Sequence, residues 1–173
     1  SGYWPLNGNR KRSNEHYRSL LPQTLRLLHG SHLLFYSSSQ EVLDWVEPLA
    51  VQENIAVRLV LRPLDALPAW DLAALAVKSC EAMALDHLQS PASFSGEKGV
   101  IHYWRDFKAS GPDLCRKLMA VWLSKVALVA EQASSERITR LTWVDSSMAR
   151  FNHCRSHWRF WLAHHPHQRL SHY

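Results

Sequence analysis

The alternation of helical and strand patterns along the chain is the feature that most constrains its fold. Two short apolar runs, 32–37 (HLLFYS) and 55–64 (IAVRLVLRPL), have the length of buried strands. Helical periodicity over about 13–29 precedes the first run. A second periodic segment, opened by a capping box of Ser38 and Glu41, separates the two runs. This alternation predicts a parallel or mixed sheet covered by helices.

The second half of the chain continues the pattern with one interruption. An alanine-rich helix is predicted over 69–85, and the segment 88–111, which holds three of the six glycines, is predicted as a functional loop. A helix of about six turns opens at Pro112, a favoured first helical position. A further strand ends at Asp145, and a last helix is predicted over about 155–163.

Composition bounds this α/β prediction. The chain has 173 residues, of which 46% are hydrophobic and 20% charged, enough for one core, so we predict a single domain over 1–173. The expected architecture is a three-layer α/β/α sandwich with a mostly parallel, Rossmann-like sheet. The net charge of +5 favours anionic partners. Three dispersed cysteines predict no disulfide framework and indicate a reducing, cytoplasmic setting.

The strand pattern LTWVD raises the question of why a buried strand should end on Asp145. Asp and Ser are common where strands stop and turns begin, which is one interpretation. In open α/β sheets, however, ligands bind beyond the carboxyl ends of the strands. A carboxylate there can hold Mg²⁺ or Mn²⁺, which in turn binds the phosphate oxygens of a nucleotide.

A basic segment precedes the first helix. Arg10, Lys11 and Arg12 lie next to a helix N-terminus, where backbone N–H groups and the helix dipole favour an anion. Arg10 and Arg12 are therefore candidates for binding a diphosphate. The alternative is a solvated run of charges. The spacings GxxxxGK[ST] and GxGxxG are missing, which excludes a P-loop and a dinucleotide fingerprint.

Other candidate residues leave two interpretations open. Lys125 lies among apolar residues of a helix, so its ammonium group either extends to solvent or reaches a phosphate. Trp122 and Trp143 fit apolar faces and are predicted to be core. His153 and His157 have the i,i+4 spacing of zinc ligands, with a solvated histidine-rich tail as the alternative.

Three segments resemble one bacterial family. They are NGNRKRSNEHYRSLLPQTLRLLHGSHLLFYSSSQ (7–40), LCRKLMAVWLSKVALVAEQA (114–133) and ITRLTWVDSSMARF (138–151). Their order and spacing resemble the HtrL/WlaTC-type glycosyltransferases linked to surface-polysaccharide synthesis. The resemblance covers most of 7–151, although each motif is short. Ser146 and Ser147 depart from the small residue and glycine that follow the aspartate in the family, and the Asp-x-Asp pattern is incomplete.

The resemblance implies a GT-A-like fold, truncated at both ends, that uses a nucleotide-sugar donor in lipopolysaccharide or capsule biosynthesis. Lys125 and Arg150 would then bind phosphate together with the basic segment. Asp145 and His172 would hold Mn²⁺ or Mg²⁺. The acceptor would be a saccharide or a lipid-linked saccharide, met in the cytoplasm or at the inner face of the membrane. No catalytic base is assigned.

Two alternatives remain at this stage. The first is a non-catalytic basic module that binds nucleic acid or another anionic partner through 10–12 and 155–169 with interleaved tryptophans. The chain lacks the aromatic signature of an RNA-recognition motif, so we expect no nucleic acid. The second alternative is a catalytically inactive scaffold that binds donor without turnover.

Overall fold

The computed structural model of the protein describes residues 1–9, 13–82, 98–135 and 140–150. The elements in these ranges are helices α1 (Asn14–Leu27), α2 (Gln40–Gln52), α3 (Trp70–Ala82) and α4 (Lys98–Ser135), strands β1 (His32–Ser37) and β2 (Ala56–Leu61), and a 3₁₀ turn (Leu64–Ala66). None of these helices is both long enough and apolar enough to cross a membrane.

The two strands and the helix between them form a β1-α2-β2 unit. β1 and β2 pair in parallel, in a register that runs from His32 opposite Ala56 to Ser37 opposite Leu61. The N-terminal segment lies beside β1, where Gly2 and Tyr36 form an isolated parallel bridge. It then continues past the carboxyl end of β1.

The predicted three-layer α/β/α sandwich with a mostly parallel sheet is wrong. The described residues are mostly helical, and their only sheet has two strands. The strand expected to end at Asp145 is also missing, because 140–145 has no regular secondary structure. Its apolar side chains pack against the protein without pairing in a ladder. Val144 is buried, and Trp143 packs against a core cluster built largely from α3 and α4.

The predicted helix starts are right for α1 and off by one residue for α2. Ser13 caps α1, as its hydroxyl accepts from the backbone N–H of His16 at 3.2 Å. α2 is capped by Ser39 and not by Ser38, since the Ser39 hydroxyl accepts from the N–H of Val42. The proposed capping box therefore does not form. Its glutamate, Glu41, is instead 2.6 Å from the guanidinium of Arg18 on α1.

The loop predicted over 88–111 is wrong for its described part, because 98–110 is helical and belongs to α4. The glycine content of this segment predicted an interruption of helix, and the interruption lies at Gly111. Its φ of 76° and ψ of 167° are non-helical and join two helical pieces across a kink. That conformation is essentially restricted to glycine. Residues 83–97 and the helix predicted over 155–163 lie outside the described residues.

Alternate side chains of β1 enter two different cores, as the two-residue period of a strand requires. Leu33 and Phe35 pack with residues of α1 and α2. Leu34 and Tyr36 pack with α3, α4 and the N-terminal segment. The side of β1 that bears Tyr36 therefore contacts α4 and the N-terminal segment.

Candidate functional site

A tight turn follows Asp145 and is fixed to helix α1 by a buried threonine. The carbonyl of Asp145 accepts a hydrogen bond from the N–H of Met148 at 2.9 Å. The Thr24 hydroxyl donates to the carbonyl of Ser146 and accepts from the N–H of Ala149, both at 3.1 Å. Thr24 is only 1% exposed. The position of the turn is thus fixed by Thr24, a residue more than 120 positions away in sequence.

The carboxylate of Asp145 is held by two donors that share one oxygen. Oδ1 accepts from Nζ of Lys125 at 2.5 Å and from the indole Nε1 of Trp143 at 3.1 Å. The ammonium of Lys125 also lies 5.9 Å from the ring centroid of Trp143. The side chain of Asp145 is 45% exposed and that of Lys125 is 27% exposed. The pair therefore stands at the protein surface with limited access to water.

The environment of Asp145 favours its ionised form. Burial, the largest single influence, would raise the pKa of this carboxyl group. The hydrogen bond and charge of Lys125, the hydrogen bond from Trp143 and the charge of Arg150 together outweigh burial. The pKa of Asp145 therefore lies below its ordinary value of 3.8, and the group is a carboxylate at neutral pH.

The Asp145 pair borders a cavity of about 390 Å³. The cavity is an open cleft bordered by the N-terminal segment, the start of α1, the middle of α4 and the residues around Asp145. Its lining residues are Gly2, Tyr3, Trp4, Leu6, Asn9, Asn14, Tyr17, Leu118, Val121, Trp122, Lys125, Trp143, Asp145, Ser146, Ser147 and Arg150. Its volume lies within the range of roughly 300–1,000 Å³ that is typical of small-molecule sites.

The described lining of the cavity is charged on one side and uncharged on the other. Lys125, Asp145 and Arg150 come from α4 and the turn, and the guanidinium Nη1 of Arg150 donates to Oγ of Ser147 at 3.0 Å. The side formed by the N-terminal segment and α1 carries amides and aromatic rings. Two of these rings are those of Tyr3 and Tyr17.

Tyr3 anchors the uncharged side. Its hydroxyl donates to Oδ1 of Asn14 at 2.9 Å, and its ring stacks on that of Tyr17 with centroids 5.2 Å apart. Burial raises the pKa of Tyr3 to about 12, so the phenol stays neutral. Among the described lining residues, a ligand that reaches across the cavity would meet charge at one end and the neutral rings of Tyr3 and Tyr17 at the other.

The structure brings together three of the six residues predicted from sequence. Lys125, Asp145 and Arg150 line the same cavity, although they are separated by up to 25 positions in the chain. Arg10, Arg12 and His172 lie outside the described residues, as does the alternative zinc pair His153 and His157. Their assigned roles stay predictions.

The described residues do not fit a resident divalent cation by themselves. Oδ1 of Asp145 already accepts two hydrogen bonds, and the ammonium beside it repels a second cation. Within 1–9, 13–82, 98–135 and 140–150, no three His, Cys, Asp or Glu side chains are grouped to hold a metal. The expectation that Asp145 and His172 hold Mn²⁺ or Mg²⁺ stays a prediction.

Two tryptophans predicted to be core also take part in the cavity, and one of them, Trp143, packs against the core cluster as well. Trp122 and Trp143 are half-buried and line the cavity. The spacing of Trp143 and Asp145 was an available signal, because residues two apart on extended backbone share a face. Ser124, next to Lys125, has a structural role: it is buried, and its hydroxyl accepts from the N–H of Ala69 at the start of α3.

No family model matches the chain, and neither a curated protein nor a solved structure shows a significant match to it. The resemblance to HtrL/WlaTC-type glycosyltransferases therefore stays a prediction based on short motifs. The geometry of the cavity is the basis for a functional proposal.

Proposed function

We propose that the protein is a glycosyltransferase that binds the diphosphate of a nucleotide-sugar donor at the charged side of the cavity. The observation that carries this proposal is the convergence of Lys125 and Arg150 on one cavity that also presents aromatic rings. Both residues belong to the motifs that resemble the glycosyltransferase family.

The chemistry of transfer gives these two cations a role. As the bond between the sugar and the diphosphate breaks, negative charge accumulates on the leaving phosphate. Donors already aimed at that charge lower the barrier because they need no reorganisation. A hydrogen bond to a charged group contributes roughly 1.5–3 kcal/mol. Lys125 and Arg150 would supply such bonds, and the neutral rings opposite them would pack against the uncharged part of the donor.

A binding experiment tests this proposal. UDP-, GDP- and CMP-sugars are titrated into the protein by calorimetry, in chelator and in Mn²⁺. We expect at least one donor to bind, and Lys125→Met to weaken that binding roughly 10- to 100-fold, the equivalent of one charged hydrogen bond. Lys117→Met is the matched control, because Lys117 is also on α4 but pairs with Asp113 at 2.6 Å and does not line the cavity.

The outcomes separate the alternatives. If no nucleotide sugar binds in either condition, the proposal is contradicted. Binding only with Mn²⁺ supports the expected cation, whereas binding in chelator shows that the protein's own cations suffice. Donor binding without transfer or hydrolysis would favour the inactive scaffold. Steeply salt-dependent binding of generic oligonucleotides, without donor binding, would favour the basic binding module.

A further inference from the structure

The two donors on Oδ1 of Asp145 differ in how freely they can move. Lys125 reaches the carboxylate with a flexible four-carbon side chain that is partly exposed. Trp143 reaches it with a rigid indole packed against the core cluster of α3 and α4, from a position two residues away in sequence. One donor can therefore leave Asp145 by side-chain rotation, whereas the other cannot leave without repacking.

We infer that Trp143 is a positioning residue whose indole N–H keeps the Asp145 carboxylate in place while Lys125 changes partner from Asp145 to a phosphate of the ligand. This inference rests on the proposed function, since it needs a phosphate-bearing ligand in the cavity. It assigns Lys125 two successive partners and assigns Trp143 one permanent partner.

Electrostatics favours the exchange. A diphosphate carries more negative charge than one carboxylate, so it competes well for the ammonium of Lys125 once it lies in the cavity. The same ligand repels Asp145, which borders the same cavity. Once Lys125 has turned to the ligand, this repulsion would leave the carboxylate without a fixed position. The N–H of Trp143 supplies that position because it holds Oδ1 at 3.1 Å independently of Lys125.

Inorganic pyrophosphate in chelator is the probe for the first test. Asp145→Asn keeps an oxygen that can accept from Trp143 but removes the charge that competes for Lys125. We expect this variant to bind pyrophosphate about fivefold more tightly than the wild type, the size of effect typical of a partly exposed ion pair. A cation-bridged site would show the opposite change in Mn²⁺, which is therefore run alongside.

A double-mutant cycle tests the role of Trp143. Trp143→Phe keeps an aromatic ring but removes the N–H group together with part of the volume of the indole, so the change is made in two backgrounds to separate the two effects. We expect it to weaken pyrophosphate binding when Asp145 is present and to leave binding unchanged in the Asp145→Asn background, because Trp143 acts through that carboxylate. The indole ¹⁵N–¹H signal of Trp143 is identified by its loss in Trp143→Phe. On addition of pyrophosphate, we expect its chemical shift to change but to stay in the range typical of a hydrogen-bonded N–H.

Each outcome has one interpretation. If the wild type binds pyrophosphate and Asp145→Asn binds it equally or more weakly in chelator, the exchange is wrong and the proposed function stands. If Trp143→Phe weakens binding equally in both backgrounds, Trp143 serves packing alone. If neither pyrophosphate nor any nucleotide sugar binds, the inference and the proposed function are both contradicted.

Discussion

Thr24 joins helix α1 to the turn that carries Asp145, and both of its hydrogen bonds are buried. Thr24→Val keeps the shape of the side chain and leaves the carbonyl of Ser146 and the N–H of Ala149 without this partner. We expect a loss of about 1–3 kcal/mol in the free energy of unfolding, measured by urea denaturation, because unsatisfied buried groups bear their full desolvation cost.

The control for this change is Thr24→Ser, which keeps the hydroxyl and removes one methyl group. We expect it to cost about 1 kcal/mol, the usual effect of losing a single buried methyl. A Thr24→Val protein as stable as the wild type would show that the two hydrogen bonds contribute nothing measurable.

Asp145 makes stability depend on pH in a defined direction. Its pKa is lower in the folded protein than the ordinary 3.8, so the unfolded chain binds a proton more readily. The resulting stabilisation is fully present above the unfolded pKa and is lost as the pH falls through the folded pKa. Lys125→Met should raise the pKa of Asp145, seen in a ¹³C carboxyl titration, and flatten the acid loss of stability.

The magnitude of this effect is limited by exposure. Because the side chain of Asp145 is 45% exposed, Lys125→Met should lower the free energy of unfolding near neutral pH by about 1 kcal/mol or less. Lys117→Met, which breaks the Asp113 pair instead, should leave the Asp145 titration unchanged. An unchanged Asp145 pKa in Lys125→Met would contradict the description of the pair.

The residue pattern indicated Asp145 and Lys125, the resemblance to a known family added Arg150, and these three do meet at one cavity. The sequence did not indicate Thr24 or the N–H of Trp143. Thr24 lies mid-helix, and its partners are more than 120 residues away in sequence, so no local pattern could reveal the contact. Trp143 was missed because an apolar neighbourhood explains a tryptophan equally well.

At the scale of elements, the start of α2 offers a test between two adjacent serines. Ser39→Ala removes the hydroxyl that accepts from Val42 and should lower the free energy of unfolding by about 1 kcal/mol in urea denaturation. Ser38→Ala should have little effect, since Ser38 does not cap the helix. The reverse result would restore the sequence-based assignment of Ser38.

Helical periodicity located α1, α2 and α3 well, and apolar runs located β1 and β2. The sequence patterns gave wrong predictions where the same residue types are found in two kinds of structure. The run before Asp145 is apolar because it packs against a core, without pairing as a strand. Glycine content predicted a loop before Gly111, yet only Gly111 itself needs a non-helical conformation in the described part of that segment.

At the scale of the whole molecule, alternation of elements was the wrong basis for predicting the sheet. It counts apolar runs as strands, whereas a sheet needs neighbours that complete the backbone hydrogen bonds. In the described residues, only β1 and β2 satisfy this condition over their full length. The site depends less on the sheet than on α1, α4, the N-terminal segment and the residues around Asp145, which together border the cavity.

The central claim is that this cavity binds a diphosphate through Lys125 and Arg150. A crystal structure of the protein with a nucleoside diphosphate tests it most directly. We expect the phosphate oxygens within hydrogen-bond distance of Nζ of Lys125 and of the Arg150 guanidinium, with Asp145 still bound to the indole of Trp143. A diphosphate bound elsewhere, or an empty cavity at saturating ligand with Lys125 still on Asp145, would contradict it.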